Sequence, residues 1–244
     1  MTRVLLTLSV TFTLAMSLRA ELPAIFIDLE NRHAHATPSR SGRGRTGGGN
    51  IVVSKLTPDV VTITMSGAVL APGHPFKDSS ASMTFDIDQE FKIIVNDPKQ
   101  VKAPKLQVQA QIIGLLRSGE KCKHAQECRS SAVQGEACAT IFCGTTSVGS
   151  LCLDSHGVGC RDKLSINCQK GPINLSVAPG GCYRLRAKFT IQASRKSTLL
   201  PCQAASAEFA PGAIDPALLG QRDAFRGAQK KNYGFRITLH VLPK

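Results

Sequence analysis

The sequence predicts an all-β protein: an antiparallel β-sandwich of the immunoglobulin-like or jelly-roll-like kind, with a long disulfide-rich loop insertion and at most short helical turns. Three observations favour this class. Several stretches alternate apolar and polar residues with the period of a strand, clusters of Pro, Gly and Asp separate them, and nine cysteines are confined to residues 122–202. Antiparallel sheets with one covered face produce this alternation. We expect residues 50–244 to form a single sandwich domain.

The first residues have the composition of a secretory signal. Arg3 precedes an apolar run over residues 4–16 that is too short to span a bilayer, and Ala15, Ser17 and Ala20 suit a signal peptidase. We predict a signal peptide over residues 1–20 and a secreted or extracytoplasmic protein, in the periplasm or at the cell surface if the source is bacterial. An uncleaved N-terminal anchor is the alternative. No later stretch has the length and hydropathy of a membrane helix, so an integral membrane protein is not expected.

Residues 21–49 are rich in Gly, Ser and Arg and predict a flexible linker, because so few apolar residues cannot offset the entropy of ordering. The linker contains a His-Ala-His sequence, His33 to His35. Metal binding is one interpretation of these two histidines, and a solvated loop is the interpretation that we favour.

From residue 50 onward the chain alternates as strands do. Each strand has an apolar side that we expect to face the core. These sets are Val61, Ile63 and Met65; Met83, Phe85, Ile87, Phe91, Ile93 and Val95; Leu106, Val108, Ala110 and Ile112; Tyr183, Leu185, Ala187, Phe189 and Ile191; and Tyr233, Phe235, Ile237, Leu239 and Val241. Residues 207–209 predict a short strand, and residues 215–220 predict a brief helix or turn.

Two of the strands carry opposite charges on their polar sides. The acidic row is Asp86, Asp88 and Glu90, and the basic row is Arg184, Arg186 and Lys188. Three carboxylates in line along one strand are too widely spaced to hold calcium alone, so we expect a solvated acidic face. If the two strands are neighbours, the rows form cross-strand ion pairs, each worth roughly 0.2–1 kcal/mol.

The nine cysteines predict an oxidised, disulfide-stapled protein, since a cytosolic chain rarely carries this density without a metal. The disulfide candidates are Cys122, Cys128, Cys138, Cys143, Cys152, Cys160, Cys168, Cys182 and Cys202. We expect a loop-rich excursion over about residues 118–182, with strands at 164–168 and 173–177 forming a hairpin with the strand after Cys182. Nine is odd, so one thiol is left free, reactive or joined to a second chain as a disulfide-linked dimer.

One cysteine spacing admits a chemical interpretation. Cys152, His156 and Cys160 are four residues apart and offer zinc ligands or a thiol centre, although the close Cys-x-x-Cys pair typical of zinc sites is missing. No glycine-rich phosphate loop, nucleophile elbow or metalloprotease motif occurs. Asn174 begins an Asn-Leu-Ser glycosylation sequon, which is meaningful in a eukaryote.

The charge indicates the class of partner. The formal net charge is +13, and residues 122–202 hold ten Lys or Arg against four Asp or Glu, a net +6. Such a field favours anionic partners, so we expect an anionic polysaccharide or cell-surface component and no specific nucleic acid, with Arg184, Arg186 and Lys188 as the anion-binding face. We predict a secreted, non-enzymatic structural or recognition module without a cofactor. The alternative is an extracellular enzyme or metal-binding protein that uses Cys152, His156 and Cys160.

Overall fold

The strands of the chain build two antiparallel sheets. The computed structural model describes residues 23–72, 77–96, 101, 103–118, 131–158, 162–196, 205–209 and 234–243. The strands are β1 (Ile25–Ser41), β2 (Arg45–Thr57), β3 (Val60–Ala71), β4 (Ser79–Val95), β5 (Lys105–Ser118), β6 (Ser131–Cys143), β7 (Thr146–Val158), β8 (Asp162–Ser176), β9 (Cys182–Arg195), β10 (Ala205–Phe209) and β11 (Gly234–Leu242). Within these ranges the chain contains no helix.

The two sheets pack face to face, which confirms the predicted antiparallel β-sandwich. Sheet A has the strand order β1-β4-β9-β6-β7. Sheet B has the order β2-β3-β11-β5-β8, with β10 also paired to β3 and β5. The runs of alternating residues predicted from the sequence correspond to β3, β4, β5, β9 and β11, and residues 207–209 lie in β10.

The interior between the sheets is aliphatic, with phenylalanines at its centre. Every second residue of β4 and of β9 is buried, as the alternation predicts. Phe189 of β9 is fully buried, and its ring centroid lies 5.6 Å from that of Phe85 on the neighbouring strand. It also lies 5.3 Å from Phe209 and 5.7 Å from Phe235, both in sheet B. Phe189 therefore joins the two sheets.

β10 and β11 share one row of sheet B. The register places Phe209 and Gly234 at consecutive positions between β3 and β5, as if they were neighbours in the sequence. Gly234 has a φ of 138°, and a Cβ at this position would lie 2.5 Å from the carbonyl oxygen of Met65, so only glycine fits. β10 and β11 thus occupy one row of sheet B, although residues 210–233 separate them in the sequence.

The predicted flexible linker over residues 21–49 is wrong from Ile25 onward. β1 pairs with β4 in sheet A, β2 pairs with β3 in sheet B, and only a turn around Gly42, with a φ of 59°, separates them. Both strands lie at sheet edges and expose most of their side chains. They are stabilised by backbone pairing with a well-packed neighbour, which amino-acid composition does not register.

A β-bulge at Glu30 and Asn31 interrupts the pairing of β1 with β4. The amide of Gln89, which is 1% exposed, donates to the carbonyl oxygens of Glu30 at 3.3 Å and Asn31 at 3.4 Å. The same amide also donates to the Glu90 carbonyl oxygen of β4 at 2.7 Å. A buried amide without partners costs about 1–3 kcal/mol, so the bulge carbonyls add to the acceptors of Gln89. Before the bulge the odd-numbered residues of β1 point to the inner side of sheet A, and after it the even-numbered residues do, of which Ala36 is partly buried.

The cysteine-rich segment forms part of the sandwich and differs from the expected loop-rich excursion. β6 and β7 form a hairpin in sheet A, and β8 pairs with β5 in sheet B. The inward residues of β6 include Ala137 and Ala139, whose small side chains give a weak apolar signal. The predicted hairpin of β8 with β9 is wrong, because residues 177–181 cross from sheet B to sheet A. The Tyr183 hydroxyl accepts a hydrogen bond from the Ala178 amide at 2.8 Å and fixes this crossing.

Three predictions fall outside the described residues: the signal peptide over residues 1–20, the brief helix or turn at 215–220, and the pairing of Cys122, Cys128, Cys160 and Cys202. In the described part of the chain, no helix has the length and hydropathy needed to cross a membrane.

Replacing Phe189 with Ala is expected to lower the free energy of unfolding by about 3–5 kcal/mol, because the cavity lies where both sheets meet. Urea unfolding measures this loss. The matched control is Leu56→Ala on β2, where the side chain is 69% exposed and the expected change is within about 0.5 kcal/mol. Equal losses for the two variants would contradict the position of Phe189 at the centre of the core.

Candidate functional site

The outer face of sheet A carries a ladder of opposite charges. β4 and β9 are neighbours, and their register sets Asp86 opposite Lys188, Asp88 opposite Arg186 and Glu90 opposite Arg184. This confirms that the acidic and basic strands are neighbours. In the described chain the ion pairs between the two rows form at Asp88, with Arg184 and Arg186. The apolar residues between these charges face the core, so the alternation that buries Phe85 and Phe189 also sets the two rows side by side.

Asp88 is the centre of the ladder. Arg184 donates from Nε to Oδ1 and from Nη2 to Oδ2, each at 2.5 Å, and Arg186 donates from Nε to Oδ2 at 3.2 Å. The hydrogen bond from Arg184 lowers the pKa of the Asp88 carboxyl, with a further contribution from the charge of Arg186. The same bond raises the pKa of Arg184. Both ends of the Arg184 fork that face Asp88 are therefore occupied.

β1 adds a third row to this face. His35 Nε2 lies 3.6 Å from Asp86 Oδ2, and His33 lies opposite Asp88 in the register. Asn31 donates from Nδ2 to Glu90 Oε2 at 3.0 Å. The bulge in β1 is what turns both histidines outward, because it reverses the phase of the strand at the residues just before them.

Lys188 differs from its two basic neighbours. Among the described residues its ammonium has no ion pair or hydrogen bond, although Asp86 lies directly opposite on β4. Asp86 faces His35 instead. The remaining face of Arg186 lies over the Phe142 ring, 5.4 Å from its centroid. Lys188 is thus the cation of the ladder that is available to a ligand.

A shallow, open groove of about 690 Å³ crosses the middle of this face. Its floor is formed at Ile87 and Ala187, and its polar lining comes from four adjacent strands. These lining residues are His33 and His35 of β1, Asp86 and Asp88 of β4, Arg186 and Lys188 of β9, and Cys138 and Thr140 of β6. Two cations offset two carboxylates, so the groove is close to neutral when the histidines are uncharged.

A disulfide borders the groove. Cys138 and Cys152 lie directly opposite each other on β6 and β7, with their Cα atoms 4.1 Å apart, and their sulfurs are bonded. Cys143, Cys168 and Cys182 are exposed thiols. Among the described cysteines the predicted disulfide bonding is therefore confirmed for Cys138 and Cys152 and wrong for Cys143, Cys168 and Cys182.

The alternative site of Cys152, His156 and Cys160 loses its first ligand. The Cys152 sulfur is bonded to Cys138, so it offers no thiolate to a metal or a substrate. The side chain of His156 and the whole of Cys160 lie outside the described residues. Among the residues whose side chains are described, no group of three His, Cys, Asp or Glu is placed to hold a metal ion.

Asn174 lies on the exposed side of β8, an edge strand of sheet B. Its Oδ1 accepts a hydrogen bond from Gln107 Nε2 at 3.4 Å. The sequon is thus on the opposite sheet from the groove, and the accessibility that glycosylation requires is met.

Sequence reasoning identified Arg186 and Lys188 and missed the histidines as members of this site. His33 and His35 were assigned to a linker because their surroundings are polar. The usable signal was their spacing of two, with Ala34 and Ala36 alternating between and after them, which is the period of a strand.

No protein-family model matches the chain, and no curated protein is significantly similar to it.

The Asp88–Arg184 pair is expected to contribute roughly 0.2–1 kcal/mol at neutral pH. Because the pKa of Asp88 is depressed in the folded state, this contribution is complete above the unfolded value of about 3.9 and is lost as the pH falls through the folded value. A double-mutant cycle of Asp88→Asn and Arg184→Gln, measured by urea unfolding at pH 7 and pH 3, gives the coupling. We expect coupling at pH 7 and a smaller value at pH 3.

The matched cycle for this test is Asp88→Asn with Lys188→Gln, where no hydrogen bond joins the two side chains. It is expected to show little coupling at either pH. A coupling for Asp88 and Arg184 that is absent at pH 7, or that increases on acidification, would contradict the assignment of Asp88 as the centre of the ladder.

Peptide mapping without reduction is expected to recover the peptides of Cys138 and Cys152 joined. Since these residues are 14 apart, replacing both with Ser should destabilise the protein by about 3 kcal/mol in the chain-entropy account. Cys182→Ser removes an exposed thiol and serves as the control, with little change in stability. Recovery of Cys152 linked to a different cysteine would refute the bridge.

Proposed function

We propose that this chain is an exported, disulfide-stabilised recognition module without enzymatic activity, and that it binds acidic polysaccharide through the outer face of sheet A. The observation that carries the proposal is the groove on that face, where Lys188 is without an ion pair among the described residues and lies beside Arg186. The net charge of +13 favours the approach of a polyanion from any direction.

Of the three residues predicted to form the anion-binding face, Arg184, Arg186 and Lys188, this proposal keeps two as ligand contacts. Arg184 is held by Asp88 and is not counted as a ligand contact. Lys188 is the principal contact for an anionic group, and Arg186 is the second contact through the guanidinium nitrogens that do not face Asp88.

The lining favours a polysaccharide over other polyanions. The large hydrophobic residues exposed in the described chain are Val52, Leu56 and Val148, none of which is aromatic or lines the groove. Single-stranded nucleic acids are bound by stacking bases on aromatic side chains, and membrane surfaces by inserting apolar ones. A hydroxyl-rich ligand suits the groove, because its hydroxyl groups can donate to Asp86 while its acidic groups contact Lys188.

The proposal is tested by retention of the purified protein on immobilised heparin and polygalacturonate at low and high salt. We expect retention that disappears on raising the salt, as screening of exposed charges requires, and that is weaker for Lys188→Ala. Lys105→Ala removes the same charge from an exposed position on β5 and is the matched control. No retention at low salt, or equal weakening by the two variants, would contradict this function.

A further inference from the structure

We propose that His33 and His35 form, with Lys188, the subsite that receives the carboxylate or sulfate groups of an acidic polysaccharide, and that their protonation controls its affinity. This inference rests on the proposed function and goes beyond it by naming the residues and the pH dependence. It starts from the three parallel rows across the groove: histidines on β1, carboxylates on β4 and cations on β9.

The order of the charged rows across the groove determines which pattern of acidic and hydroxyl groups a ligand must have. Adjacent strands are about 4.8 Å apart, so the histidine row and the Lys188 row are on the order of 10 Å apart with the carboxylates between them. A ligand that crosses the groove meets a cationic row, an acidic row and a second row that becomes cationic at low pH. Acidic groups must therefore alternate with hydroxyl donors along the ligand, as they do in a polyuronate.

The groove lining carries two cations and two carboxylates besides the two histidines. Arg186 and Lys188 offset Asp86 and Asp88, and histidine is the side chain whose ordinary protonation falls between pH 5 and 8. When both histidines are protonated the lining changes from neutral to an excess of two positive charges. The His35 side chain is 66% exposed, so a ligand has direct access to it.

The charged groups on the strands around the histidines are consistent with this net charge of the groove. β4 presents the carboxylates of the ladder. β1 also contacts β2, β11 and β3. The charged or titratable residues of these strands are Arg45 and Lys55 on β2 and Arg236 and His240 on β11, and β3 has none. Lys55 lies over the Phe26 ring, 5.2 Å from its centroid, and both β2 residues pair within sheet B. Asn31 engages Glu90, which leaves Asp86 and Asp88 as the carboxylates that face the histidines.

The test is the dissociation constant of polygalacturonate at pH 5.5 and pH 7.5 and constant ionic strength, for the full chain and for the double variant His33→Gln, His35→Gln. The polymer stays ionised at both values. The unaltered protein is expected to bind roughly 5-fold to 25-fold more tightly at pH 5.5, since each added charge contact is worth roughly fivefold and the subsite has two histidines. The double variant is expected to keep the affinity at pH 7.5 and to lose the increase.

His240→Gln changes a histidine of β11 that contacts Asp59 at 3.2 Å, away from the groove, and is expected to retain the full pH response. Far-UV circular dichroism confirms that each variant is folded.

If the unaltered protein binds at both pH values without an increase on acidification, or if the double variant still shows the increase, the histidine subsite is refuted while the proposed function stands. If it binds at neither pH, the proposed function itself fails. Binding to anionic-lipid vesicles in place of polygalacturonate would overturn the choice of a polysaccharide.

Discussion

The register of β4 against β9 is the constraint on which the structure depends. One alignment sets Phe85 opposite Phe189 in the core and Asp88 opposite Arg186 on the surface. Because side chains alternate between faces, a slip of one residue would carry the carboxylates of β4 into the core and its phenylalanines into water. Burial of the aromatic rings is the larger energy and selects the alignment. The same register then places the charged rows side by side, and no attraction between the charges is needed to set it.

The groove is a consequence of that alignment and of one irregularity. Without the bulge at Glu30 and Asn31, the histidines of β1 would point toward the core side of sheet A, and the outer face would have only two charged rows. Gln89 makes the bulge compatible with a buried position by donating to its carbonyl oxygens. The bulge beside this buried amide thus determines which residues of β1 line the groove.

Much of the sandwich was predictable because its central strands alternate strongly. In β4 and β9 the inward residues are large and the outward residues are charged, and the period of two is unmistakable. β1 and β2 were not predictable from composition, since their stability comes from backbone pairing at a sheet edge. β6 was not recognisable from the sequence, because its inward side chains include alanines that give only a weak apolar signal. In the site, the side-by-side placement of the acidic and basic rows was foreseeable from the pattern. The engagement of Arg184, and the lack of a partner for Lys188 within the described part of the chain, depend on side-chain geometry that no spacing encodes.

The shared row of β10 and β11 has a consequence for how the length of this chain can change during evolution. Phe209 and Gly234 abut between β3 and β5, so the ladder of backbone hydrogen bonds on either side does not depend on how many residues separate them in the sequence. A change in the length of that intervening stretch would leave these paired positions the same, and each doubling of a flexible connection costs only about 0.6 kcal/mol in closure entropy. The junction of Phe209 and Gly234 is therefore a position at which residues could be gained or lost during evolution without a change in the strand pairing of either sheet.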